Sequence, residues 1–564
     1  MSAFDLLIRG GSVIDGSGSA ARVADVGVQG GRIAAIGPQL HGAQRVIEAE
    51  GLVVAPGFID VHTHYDAQIL WDPLLSISPW HGVTSVVLGN CGFGIAPTRP
   101  EHRELILETL QVVEGMSLDA LRAGLGAEWP FVSFPQYLAT LEQRGVAINV
   151  AALAGHTPLR LFVMGPEAAA RQASEAEVGQ MCALLREALA AGALGLGTSR
   201  AATHNGYRGL PVPSRLAGAA ELRALAAVLG EFPGSILQLA RPNAEYLELM
   251  AELGALSRGT ITYAALFADS EAQGPPEPIQ RRIAALNATG LNIVPQVSCR
   301  PVMFEYDFKE PFMLGWAPCV AALGRGSLAE RRAAYADPAF RATLRHTLES
   351  QRPRFLSNTR LTHVPLAGGA ALLDCAVTEA AAQRGVAPVE FLLDLAIATD
   401  LELRVCTAVA NSDEQQVIKL LRDRSAVVAL SDAGAHANQI CDACFSTYLL
   451  GHWVRERGAL ALEEAVRLLT SRPAEVFGLQ GRGTLAVGAA ADLVVFDPRT
   501  VGPGPITRTR DLPGGAERLV CEGRGIGTVI VNGEVLRADG AEVDAPTALA
   551  GQLLRRGRSP PAPH

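Results

Sequence analysis

The sequence predicts an α/β protein: a (β/α)₈ barrel accompanied by a small sheet domain built from both chain ends. Eight short apolar runs recur through the middle of the chain, separated by stretches of helical spacing. Glycine-punctuated, β-rich segments stand at both ends and bracket that α/β middle. The first apolar run closes on two histidines one residue apart, where a barrel strand carries its functional groups.

In chain order, residues 1–55 read as strands and turns: Asp5 to Arg9, Ser12 to Ile14, Ala24 to Gln29, Arg32 to Ile36 and Arg45 to Glu48. Gly30-Gly31 between two of them is a hairpin signal. The barrel is expected over 56–474. Its first strand is Leu52 to Val61, and Val83 to Leu88, Ala147 to Ala154, Gly192 to Thr198, Ser235 to Leu239, Thr260 to Leu266, Asn292 to Val297 and Ala426 to Leu430 follow. Ser174 to Ala191 and Ala219 to Leu229 carry helical spacing. The span 302–410 is too long for one connection and reads as a mostly helical insertion, a lid or an oligomer contact. Strand texture returns over 475–545, in Ala491 to Phe496 and in Gly527 to Val535 with its Asn532-Gly533 turn. Residues 546–564, ending in Pro560-Pro561-Ala562-Pro563, read as a flexible tail.

Composition narrows the functions. Of 564 residues, 49% are hydrophobic and 19% charged, the balance of a well-packed chain. A net charge of -9 points away from nucleic acid and anionic membrane, and no apolar run reaches the length of a membrane span. The N-terminus is too short and acidic for a signal peptide, and nine cysteines without a regular framework suit reduced thiols in a cytoplasmic protein. Cys441 and Cys444 have CxxC spacing but no second pair to complete a structural zinc site. Lys309 and Lys419 are the only lysines.

Strand alternation sends His62 and His64 out of one face, and neutral imidazoles side by side are what a metal ion needs. The second strand is followed by Gly89-Asn90-Cys91-Gly92 and the eighth by Ser431-Asp432, each read as functional rather than as turn filler. His156 follows the third strand, and His204 and Tyr207 the fourth; the residues alone leave ligand and core roles equally open for the two histidines.

Taken together, Pro56-Gly57-Phe58-Ile59-Asp60-Val61-His62-Thr63-His64, Gly89-Asn90-Cys91-Gly92, Ser431-Asp432 and Gly483 to Phe496 resemble the amidohydrolase superfamily, most closely its D-aminoacylases. The resemblance implies a distorted (β/α)₈ TIM barrel, a composite β-sandwich from both termini, and zinc-dependent hydrolysis of a linear amide, most naturally an N-acyl D-amino acid. It implies a small-molecule amide substrate and metal ligands His62, His64, Cys91 and Asp432. Asp432 would also move protons, with His436 orienting it or serving as oxyanion partner, and His156, His204 and Tyr207 would face the substrate. Many relatives bridge two metals with a carboxylated lysine on the fourth strand, for which neither Lys309 nor Lys419 is placed. The D-aminoacylases also carry histidines after strands five and six, where this chain has none, so one tightly bound zinc is expected and the second is in doubt. They offer an arginine after the eighth-strand aspartate, again absent here; Arg300, Arg241, Arg200 and Arg208 are the alternatives for a substrate carboxylate, with Arg300 preferred. Two other functions stand against this one: ring opening of a cyclic amide or imide, and a non-catalytic relative that kept the fold.

Overall fold

Gly57 divides the first long apolar run. The computed structural model describes residues 3–240, 244–270, 273–324, 326–543 and 549–557. In it Val53–Pro56 pairs antiparallel with Leu493–Phe496, whereas Phe58–Asp60 starts a separate parallel set. The expected single strand therefore belongs to two sheets. A side chain at Gly57 would lie 2.2 Å from Thr84 Oγ1, so only glycine lets the chain cross between them here. Two compact units result: residues 1–266, 277–299 and 418–564 form the first, and 267–276 with 300–417 the second.

The parallel strands of the first unit are β1 Phe58–Asp60, β2 Val83–Leu88, β3 Asn149–Ala152, β4 Gly195–Ser199, β5 Ile236–Ala240, β6 Thr260–Ala264, β7 Asn292–Val297 and β8 Val427–Val428. Pairing follows chain order. Leu153 interrupts it after β3, and Ala154–Gly155 resumes by pairing with β4. Beyond β8, Ala433 makes a parallel bridge to Thr63 beyond β1. β2 and β5 are buried along their whole length, the pattern of parallel strands covered on both faces. Between β3 and β4 the helix Glu175–Ala190 starts on a Ser174–Glu177 capping box and buries Met181, Cys182, Leu185, Ala188 and Leu189, one helical stripe.

Strands from both chain ends share one nine-stranded sheet. Phe4–Val13 runs through the two segments expected as separate strands, with a register shift at Gly10-Gly11. It pairs with Arg22–Gln29 on one side and with Val53–Pro56 on the other. Asn532 and Gly533, at φ 48° and 88°, close the hairpin Ile526–Val531/Glu534–Ala538 with the left-handed backbone that a tight two-residue turn requires. Leu6, Ile8, Val26, Val28, Leu493, Val495 and Ile530 form its core. A second hairpin, Gly502–Leu512 with Ala516–Arg524, was not foreseen from the sequence.

One expectation needs correction and another is extended. Residues 549–557, read as part of a flexible tail, are anchored along β3: Gly551 bridges Val146, Leu553 bridges Val150, and Arg555 pairs with Glu142 at 2.8 Å. Backbone pairing, which composition does not reveal, holds them; Pro560 to Pro563 lie outside the described residues. The second unit, expected as mostly helical, also contains an antiparallel sheet of Val302–Asp307, Arg404–Ala410 and Thr359–His363. Its helices and this sheet bury Tyr306, Phe308, Tyr335, Leu361, Phe391 and Val405 together.

A buried ion cluster backs β4. Arg160, 0% exposed, donates to both carboxylate oxygens of Glu221 at 2.7 and 2.5 Å. Burial pushes the Glu221 carboxyl up, but His156 and Arg160 outweigh it and leave the group below its ordinary range. Removing the negative partner would strand a buried guanidinium, so Glu221→Gln should lower the unfolding free energy by about 3–5 kcal/mol at pH 7. Because the folded pKa is the lower one, this contribution is present above the unfolded value near ~4.3 and is lost as pH falls through the folded value. Urea unfolding of both proteins at pH 7 and pH 3 checks it; a loss below about 1 kcal/mol at pH 7 would contradict the assignment.

Candidate metal centre

Three buried side chains converge where β1 and β2 end. One ligand atom each from His62, His64 and Cys91 lies within 4.8 Å of the others, a group that can hold a metal ion. Strand alternation puts both imidazoles on one side, their ring centroids 5.3 Å apart. Cys91 is presented by the turn after β2, where Gly89 (φ 79°) and Gly92 (φ 75°) flank a left-handed Cys91 (φ 55°). A side chain at Gly89 would meet the Leu153 carbonyl at 2.1 Å, so the turn fits only with glycine there. The Cys91 Sγ lies 3.5 Å from His62 Nε2.

Asp432 stands beside the group. Its Oδ1 stands 3.3 Å from His62 Nε2 and 3.9 Å from His64 Nε2. With 31% side-chain exposure it is the open side of an otherwise buried cluster. Leu430, Asp432, Gly434 and His436 all have positive φ, so the chain after β8 is held in a strained alternating path. Two hydrogen bonds hold it: His64 N–H donates to the Ala433 carbonyl at 2.7 Å, and the Ser431 side-chain Oγ donates to the His62 carbonyl at 3.2 Å.

Each imidazole has a polar side chain near its Nδ1. His62 Nδ1 meets Gln296 Oε1 of β7 at 2.5 Å, and Gln296 in turn donates to Thr262 of β6 at 3.1 Å. His64 Nδ1 lies 3.2 Å from the Glu114 carboxylate, at the end of the helix Arg103–Val113. Gln238 of β5 accepts from the Cys91 N–H at 2.8 Å. Electrostatics follow this geometry. Burial raises the Cys91 thiol, but the two imidazoles outweigh it and bring it below its ordinary value. Burial likewise lowers both imidazoles, yet Cys91 with Asp432 raises His62, and Glu114 with Cys91 raises His64 well above the usual range. Asp60 and Asp66 are pushed up to about 7 by burial. A lowered thiol beside two imidazoles is a nitrogen–sulfur donor set that suits zinc.

The other residues singled out in the sequence separate. His436 is partly buried, with Nδ1 3.2 Å from Gln439 Oε1, and burial lowers its ring below the usual value despite Glu114 and Asp432 nearby. His204 bonds Ser199 through Nδ1 at 2.7 Å and meets Phe93 in a tilted ring contact, and Phe93 also contacts His64. His156 is not available to a substrate: it is fully buried, with Nδ1 on Thr198 and Nε2 on Glu221, both at 2.8 Å. Tyr207 is buried, its hydroxyl donating to the Pro166 carbonyl at 3.0 Å. Arg300 is a buried member of the second unit. Arg200 and Arg208 are exposed, and Arg241 lies outside the described residues. Sequence reasoning missed Glu114 and Gln296. A glutamine inside the apolar run Asn292 to Val297 was a readable signal; Glu114, one residue past a helix, gave none.

This chain belongs to the amidohydrolase family, whose model matches residues 45–536. An N-acyl-D-glutamate deacylase of Alcaligenes xylosoxydans xylosoxydans is 33% identical, the match covering 98% of this chain and 97% of that one. The crystal structure of an N-acyl-D-glutamate deacylase from Bordetella bronchiseptica, complexed with zinc and a phosphonate mimic of the tetrahedral intermediate, superimposes with TM-score 0.66 at 28% identity, covering 98% of this chain and 99% of that one. A D-aminoacylase described by its binuclear metal centre, with one-metal activation and second-metal attenuation, gives 0.65 at 28%, covering 98% and 100%. A D-hydantoinase gives 0.52 at 16% identity, a likeness of fold alone.

The seam at Gly434 (φ 93°) tests the geometry. A methyl there would stand 2.7 Å from the His64 carbonyl carbon and oxygen. Gly434→Ala should therefore cost about 1–3 kcal/mol of stability by overpacking. Equilibrium denaturation measures it, and an unchanged midpoint would show that this packing is not tight.

Proposed function

We propose that the chain is a zinc-dependent hydrolase of linear amides, an N-acyl D-amino acid deacylase, with one zinc held by His62, His64, Cys91 and Asp432. One observation carries the reading: the buried His62–His64–Cys91 group, closed by Asp432, in a chain that aligns end to end with a deacylase. The parallel strands in chain order and the Thr63–Ala433 bridge support a distorted (β/α)₈ barrel, and the shared terminal sheet supports a composite β-sandwich beside it. Among the described residues one such donor group is found, which favours a single metal. β5 and β6 offer Gln238 and Thr262 to the interior, and these are already engaged with Cys91 and Gln296.

Zinc, when bound, supplies an activated water and an electrophile for the scissile carbonyl. The chain supplies the rest. Gln296 fixes the His62 ring so that Nε2 faces Asp432. Asp432, the half-exposed member, accepts the proton of the attacking water and returns it to the leaving amine nitrogen, which cannot depart as an anion. Phe93, buried between His64 and His204, keeps bulk water from that side. Ring opening of cyclic amides finds less support, because the bridging lysine has no counterpart: Lys309 is half-exposed in the second unit, and Lys419 lies on a helix.

Substrate class is tested with N-acyl-D- and N-acyl-L-amino acids, simple amides and cyclic imides, scored for released amine or ring opening. Turnover confined to the N-acyl-D-amino acids is expected, and turnover of cyclic imides alone would reject the reading. Asp432→Asn tests the mechanism. Asparagine tolerates the left-handed backbone at φ 45°, so the turn is preserved while the proton carrier is lost. A fall in kcat of about 10²–10⁴ with zinc retained is expected; retention of zinc and most of kcat would assign the proton to another group.

A further inference from the structure

The two imidazoles of the centre are held by chemically different partners. His62 Nδ1 meets the neutral amide of Gln296, whereas His64 Nδ1 faces the carboxylate of Glu114. Glu114 is 5% exposed, and its Oε2 has no hydrogen-bond partner among the described residues. The contact to His64 Nδ1 is a charge contact at 3.2 Å rather than a hydrogen bond, and Nδ1 has no hydrogen-bond partner among the described residues. Among the described residues no arginine or lysine pairs with Glu114, and a carboxylate buried so is expensive to keep.

Local structure delivers it there firmly. The Glu114 N–H donates to Leu110 O at 2.7 Å, ending the helix Arg103–Val113. Gly115 follows at φ 59°, so close to His436 that a side chain would stand 3.2 Å from its Cα. The helix end and this contact fix the Glu114 backbone, and the side chain reaches His64 from behind. A carboxylate behind Nδ1 favours the tautomer with its proton there, which leaves Nε2, 3.9 Å from Asp432 Oδ1, as the free donor atom for a metal.

We propose that Glu114 is the positioning residue of the centre: it sets the tautomer and ring direction of His64, and its negative charge makes that imidazole a stronger metal donor than the amide-held His62. The inference rests on the metal reading above and adds to it a residue outside the ligand set. Carboxylates of this kind are worth about 10- to 100-fold in metal affinity.

The test is zinc affinity by chelator competition at one pH, on the parent and on Glu114→Gln, with thermal unfolding of the metal-free proteins alongside. Glutamine keeps shape and volume, so the metal-free melting points should agree while zinc binds about 10- to 100-fold more weakly. Should Glu114→Gln fail to fold, Glu114→Asp, which keeps the charge but withdraws it by one methylene, should show a smaller loss of the same sign. A parent that binds zinc and a variant that binds it within twofold would overturn the role of Glu114 and leave the metal centre standing. A parent that binds no zinc would overturn the centre itself. A lowered melting point with unchanged affinity would make Glu114 a packing residue only.

Discussion

The hydrogen bond from His64 N–H to the Ala433 carbonyl is the contact on which the site depends. It joins the segment after the first parallel strand to the segment after the last, and Thr63 bridges Ala433 beside it. With the Ser431 Oγ bond to the His62 carbonyl, made across 369 residues of sequence, this seam sets Asp432 in a fixed relation to the histidines. The seam also explains why residues 430–436 carry so many left-handed conformations. The chain must leave β8, present Asp432 on one side, and still lay Ala433 against Thr63. Gly434 passes over the His64 carbonyl where no side chain fits. Strain at these positions is sustained by the pairing around them.

A second constraint is burial of charge beneath the cluster. Asp60 and Asp66 lie fully inside, and burial raises both carboxyls to about 7. They are not surplus. Asp60 accepts from the His62 N–H and Asp66 from the Gly89 N–H, both at 3.2 Å, so one steadies the histidine segment and the other the turn that carries Cys91. Asn90 adds amide donors to the Val87 and Thr63 carbonyls. The interior is thus a polar scaffold in which backbone groups of the ligand-bearing turns are held by buried side chains. Such scaffolds are costly unless satisfied, and among the described residues Asp60 Oδ2, Asn90 Oδ1, Gln238 Nε2 and Glu114 Oε2 are buried without a hydrogen-bond partner.

Much of this was legible in the sequence. β2 and β7 have the bounds their apolar runs suggested, because buried parallel strands read as continuous hydrophobic segments. His62, His64, Cys91 and Asp432 could be picked out because each follows a strand; the structure groups the first three and sets Asp432 Oδ1 3.3 Å from His62 Nε2. What failed to show had physical causes. Gly57 hides a change of sheet inside one apolar run, since period and composition are the same on both sides of it. His156 stood open between a substrate-facing and a core role because sequence cannot reveal Glu221 and Arg160 beside it. The hairpin Gly502–Leu512/Ala516–Arg524 is largely exposed on its first strand and rich in arginine and proline, so it lacks the apolar alternation that marks a strand. Glu114 is a helix-end glutamate, and only the fold shows that it is buried.

The central claim is that one metal is held by two imidazoles, a thiolate and a carboxylate. Zinc-edge X-ray absorption of the purified protein tests it most directly. It should show about one zinc per chain, with one sulfur at ~2.3 Å and nitrogen or oxygen neighbours at ~2.0–2.1 Å. The sulfur contribution should vanish in Cys91→Ser. Zinc with only nitrogen and oxygen neighbours, or a sulfur signal that survives Cys91→Ser, would contradict the account.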